Sequence, residues 1–136
     1  MNTIKKTFVT LSLILVLLTA FTTVSLAGRI QMKGRKVRID QATAVHVSKT
    51  TNSAKVTANF KLVKGNPRAI IVWVYSADQK TLYSNFLKSY ENGGATTQKY
   101  RPNKPHKKGT KIAVLYRDYK GGVAFPYETG GYIDYY

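Results

Sequence analysis

The sequence predicts an all-β fold: an antiparallel β-sandwich of about seven strands, with a small β-barrel as the alternative. Three observations carry that expectation. Apolar and polar residues alternate with period two through AKVTANFKL, residues 54–62, so Val56, Ala58, Phe60 and Leu62 share one face and Lys55, Thr57, Asn59 and Lys61 the other. AIIVWVYS, residues 69–76, is apolar on both faces, as a central strand is. Glycine, proline and asparagine punctuate the chain between such runs, and no stretch holds a convincing helical period.

In chain order, RIQMKGRKVRI (29–39) reads as a basic lead into an edge strand, with Val37 and Ile39 alternating with Arg38. ATAVHVS (42–48) is rich in β-formers, and KTTNS (49–53) is a turn. After the strand at 54–62, VKGNPR turns the chain through Gly65 and Pro67. The strand at 69–76 places Trp73 in the core. ADQK (77–80) is a tight turn into TLYSNFLKSY (81–90), whose preceding hairpin signal favours strand over a short helix. ENGGATTQ is a loop, QKY opens a short strand, and KIAVLYRDY (111–119) is another buried strand. The last strand, in VAFPYETGGYIDYY, is expected to be broken by Pro126 and Gly130-Gly131 and to lie at an edge or bulge, because proline cannot donate to a ladder.

The strand–turn–strand order of VWVYSADQKTLYSNF and GTKIAVLYRDYKGG resembles that of bacterial immunoglobulin-like or fibronectin-like modules. The resemblance is architectural, covers about half of the chain beyond residue 27, and implies no function.

Residues 1–27 are expected to be a secretory signal peptide. Lys5 and Lys6 precede an uncharged stretch from Thr7 to Ala27 containing LSLILVLL, and Ser25-Leu26-Ala27 supplies the small residues for cleavage after Ala27. An uncleaved anchor is the alternative. Residues 28–136 then form one domain, expected to be a monomer, secreted and held at the cell surface by charge. No cysteine is present, so the fold rests on packing and hydrogen bonds alone, which suits a bacterial source better than an animal one, and the plain signal peptide suits a Gram-positive one.

Charge points to the partner. Without Lys5 and Lys6 the 22 basic residues become 20, against 6 acids, a net charge of +14. Acidic side chains serve solubility better than lysine, so this excess predicts a polyanionic partner. The segment YRPNKPHKKGTK, residues 100–111, carries Arg101, Lys104, Lys107, Lys108 and Lys111 with no acid. Together with Lys99 it reads as an extended, mobile cationic loop, and Arg35, Lys36 and Arg38 form a second acid-free cluster. Lysine dominates the loop, and ammonium groups act as hydrated point charges, so diffuse attraction is expected rather than geometric readout. Teichoic acid, anionic lipid or acidic polysaccharide fits as partner. Extracellular nucleic acid is an alternative, with Tyr100 and Tyr119 as candidate stacking residues; a membrane-active antimicrobial or toxin-like role is another, short of an amphipathic helix.

Enzymatic machinery is sparse. His46 and His106 are far apart in sequence, and no nucleophile elbow or phosphate-binding glycine loop is present. Asp78, Glu91, Asp118 and Glu128 lie in or beside predicted turns, where carboxylates stay solvated. The expectation is a non-enzymatic binding module without metal or cofactor. His46 is expected to be a partly covered strand residue.

Overall fold

The computed structural model describes residues 27–37, 41–62, 69–91, 93–119 and 127–136. Residues 1–26, Arg38, Asp40, Gly65, Pro67, Lys120 and Pro126, on which several of these expectations fall, lie outside the described residues. The elements are β1 (Gly28–Gln31), β2 (Lys36–Val37), β3 (Thr43–Ser48), β4 (Lys55–Leu62), β5 (Ala69–Ser76), β6 (Leu87–Tyr90), β7 (Thr96–Lys99), β8 (Lys111–Asp118) and β9 (Tyr127–Tyr135).

Two antiparallel sheets pack face to face. The first has the order β1-β9-β4-β7, with β2 also pairing β9; the second has the order β3-β8-β5-β6. The sheets stay separate, so this is a sandwich and not a closed barrel. The ladders nest: β1 pairs β9, β3 pairs β8, β4 pairs β7 and β5 pairs β6. One long antiparallel hairpin has in effect been rolled up on itself, which is the connectivity of an eight-stranded jelly roll, with β2 as a short addition. Within the predicted sandwich, this order differs from the ABED and CFG sheets of immunoglobulin domains.

Period two does what it should in β4. Val56, Ala58 and Phe60 face inward and are fully buried, joined by Ile133 of β9. Across the gap they meet Ile70, Val72 and Val74 of β5 and Ile112, Val114 and Tyr116 of β8. Each of the valine, isoleucine and phenylalanine side chains contributes about 1.5–3 kcal/mol by leaving water. β5 lies between β8 and β6 and is buried on both faces, its outward Ile71 and Trp73 joining Ala113 and Leu115 of β8 in a second apolar cluster. Phe60 lies beyond the reach of β7, whose ladder on β4 covers Lys55 to Ala58. The buried Ser89 hydroxyl of β6 accepts its N–H at 3.1 Å, tying one sheet to the other.

Two expectations are corrected. β9 runs unbroken through Gly130 and Gly131 and is central, with β1 and β2 on one side and β4 on the other. The glycines permit this: Gly131 has φ +81°, and a Cβ there would sit 1.9 Å from the Asn59 carbonyl oxygen. Of residues 81–90, only Leu87–Tyr90 forms a strand. Leu82 and Ser84 make single bridges, to Tyr75 and Tyr100. The reason is local: Ser84 is drawn inside, where its hydroxyl accepts the Val74 N–H at 2.9 Å.

Candidate anion-binding site

The site begins where β7 ends beside the start of β4. Lys55 and Lys99 stand directly opposite each other in the β4–β7 ladder, on the outer face of the first sheet. Like charges in that relation repel. Lys55 relieves part of this by lying over the Tyr136 ring, 4.4 Å from its centroid. The alternation in AKVTANFKL placed Lys55 outward, but the sequence held no sign that β7 would set Lys99 against it.

Beyond Lys99 the chain enters the cationic segment. Arg101, Lys107, Lys108 and Lys111 are exposed and Lys104 is half-buried. The expected mobile, extended loop is instead tied to the β3–β4 turn. The Lys108 N–H donates to Asn52 Oδ1 at 2.8 Å. Gly109 N–H donates to the Lys49 carbonyl and Lys49 N–H to the Thr110 carbonyl. Arg101 N–H donates to the Tyr83 carbonyl, and its Nε to Asn85 Oδ1 at 2.8 Å. Asn103 at φ 62° and Gly109 at φ 88° supply the turns. The prolines therefore punctuate a fixed loop, because its backbone groups find partners in the neighbouring turn. His106 is exposed here, its Nδ1 3.0 Å from the Lys104 carbonyl.

Beneath this loop lies Lys49, only 2% exposed. Its ammonium donates to the main-chain oxygens of Ser53 and Tyr136 and lies 5.1 Å from the Tyr100 ring centroid. Burial pushes its pKa from 10.5 down to about 8. Tyr100, expected as a stacking residue, is 8% exposed and packs against Tyr83 at 6.1 Å. Its ring is a floor of the loop and offers no face to a ligand. Burial, reinforced by Tyr83, holds its phenol well above the usual tyrosine range. Its hydroxyl has no hydrogen-bond partner among the described residues.

The acids at this end are engaged elsewhere. Asp134 accepts from Arg29 Nε at 2.6 Å and Nη2 at 2.8 Å. The hydrogen bond to Asp134 raises the Arg29 pKa, and the guanidinium also lies over Tyr132 at 3.7 Å. Asp78 accepts from the Ser76 hydroxyl and the Lys80 N–H, which lowers its pKa.

The second cluster is not part of this site. β1 carries Arg29 at the cationic end, and Arg35 and Lys36 follow beyond the Gly34 turn, where the backbone of Lys36 is in register with that of Glu128 near the start of β9. Eight-residue strands such as β4 and β8 separate the two ends by about 26 Å. Arg35 Nε is held by the Gln31 carbonyl at 2.9 Å, and Arg38 lies outside the described residues. Tyr119 is 43% exposed and lies at the same far end, at the close of β8. His46 is exposed on the outer face of the second sheet, opposite Ala113, more open than its strand position suggested.

In class, then, this is a jelly-roll sandwich with one cation-bearing end built over a buried lysine. No family model, no curated protein and no solved structure matches the chain.

Proposed function

We propose that the chain is a secreted, non-enzymatic binding module that associates electrostatically, through its cationic end, with an anionic envelope polymer or surface. Teichoic acid, anionic lipid headgroups and acidic polysaccharide share the chemistry required. The observation that carries this reading is the opposed pair Lys55 and Lys99, continuing into Arg101, Lys104, Lys107, Lys108 and Lys111 on a fixed loop. An unbound protein gains nothing from opposing lysines, whereas a bound polyanion turns their repulsion into attraction. Ammonium groups favour diffuse association over selective readout. The nucleic-acid alternative drew on Tyr100 for stacking, and its burial removes that support.

The test is binding to isolated Gram-positive cell wall and to anionic vesicles across a salt series. Affinity should fall steeply from 50 to 500 mM salt, as expected of ion pairing near a surface. Replacing Lys99, Arg101, Lys107, Lys108 and Lys111 together by glutamine should abolish the salt-sensitive part, while the same change at Lys33 and Lys36 should weaken binding far less. Affinity indifferent to salt, or equal losses from both variants, rejects the reading.

A further inference from the structure

The outer face of the second sheet carries an aromatic and cationic cluster at the end opposite the loop. Tyr90 of β6 stands opposite Ala69 of β5. On the other side of β5, the Tyr119 N–H donates to the Ala69 carbonyl. One row further in, Ile71 lies between Lys88 of β6 and Arg117 of β8. Two strand spacings set β6 and β8 about 10 Å apart. The result is a trough with Ala69 and Ile71 as its floor, Tyr90 and Lys88 along one wall, and Tyr119 and Arg117 along the other.

Tyr90 is 55% exposed and Tyr119 43%, large values for aromatic rings. The Lys88 ammonium bridges them, 3.4 Å from the Tyr119 centroid and 4.5 Å from that of Tyr90. Hydrogen bonding to Tyr90 and, less strongly, to Tyr119 raises its pKa against the opposing effect of burial. Asp118 is buried, so among the described residues the acid bordering the trough is Glu91, beside Tyr90.

We propose that this trough binds an acidic sugar, a pyranose carrying a carboxylate or a phosphate. The negative π-face of a tyrosine attracts the electropositive C–H face of a pyranose. The anionic substituent pairs with Lys88 and Arg117. Both parts are needed. A neutral sugar has nothing to offset drawing the Lys88 ammonium off the rings, and inorganic phosphate has no ring to stack. This site is distinct from the cationic end and stands or falls apart from it.

The test is an NMR titration of the folded protein at 150 mM salt with four probes: a glucuronate disaccharide, glucose 6-phosphate, glucose and inorganic phosphate. Shifts at Tyr90, Lys88, Ala69 and Tyr119 are expected with the first two, and which binds more tightly identifies the anionic group as carboxylate or phosphate. Tyr90→Ala and Tyr119→Ala should each weaken binding roughly tenfold. Lys88→Gln should erase the preference for acidic over neutral sugar. The glutamine variant of the cationic loop should leave these shifts unchanged. The proposal is overturned if neither acidic sugar moves the trough resonances, if inorganic phosphate moves them as strongly, or if the loop variant abolishes the shifts. In each of those outcomes Lys88 and its tyrosines are a self-contained surface brace.

Discussion

The two ends of the sandwich carry similar basic runs and use them differently. At one end Lys99 to Lys111 crowns a loop whose backbone is bonded to the β3–β4 turn, and the nearby carboxylates of Asp78 and Asp134 already have partners. At the other, Lys33, Arg35 and Lys36 flank the Gly34 turn, and the Arg35 Nε is spent on the Gln31 carbonyl. The contrast teaches that cation density along the chain does not make an anion site. What matters is whether the backbone gathers the charges and presents them together from a fixed frame.

The ends differ most in what lies beneath them. The cationic end is built over the buried Lys49 and Tyr100, which gives it an alkaline signature. Lys49 has its folded pKa depressed to about 8 from 10.5. Between those values the unfolded chain binds more protons, so stability should rise with pH, by an amount on the order of 3 kcal/mol across the window. Tyr100 has its folded pKa raised, so its contribution has the opposite sign: full below pH 10 and lost as pH climbs above it. Chemical denaturation from pH 7 to 11 should therefore show a rise and then a fall. Lys49→Met should flatten the rise, and a rise that persisted in that variant would place its origin elsewhere.

Smaller effects sharpen the same contrast. Tyr100→Phe removes a buried hydroxyl that has no partner among the described residues and should stabilise the fold by about 1 kcal/mol. It should also delay the alkaline loss. Asn52→Ala releases the Lys108 N–H; it should cost about 1 kcal/mol and weaken wall binding modestly, because the loop's charges lose a fixed position. Lys36→Gln at the far end should change stability by no more than about 0.5 kcal/mol. Thermal melts of the three variants side by side check the ranking.

Much of the architecture was legible beforehand for reasons visible in particular elements. The alternation in β4 and the doubly apolar run of β5 each have one physical solution, a half-buried and a central strand. β9 misled because Pro126 and Gly130-Gly131 are ordinarily breakers. Here the glycine serves a close approach to Asn59 that depends on which strand pairs with which. The candidate site was half legible. Its loop stood out by charge, but Lys55 needed the β4–β7 register to become part of it, and Tyr100 needed the packed interior to be taken out of it.

By itself, then, the order of residues determined the strands and where the surplus positive charge lies along the chain, because side-chain period and composition are local properties. Tertiary structure alone decided the nested ladder order, the parting of the two basic clusters to opposite ends, the sinking of Lys49 and Tyr100, and the meeting of Tyr90, Lys88 and Tyr119 across β5. Those are relations between residues distant in sequence, and they are set by which sheet surfaces must leave water together.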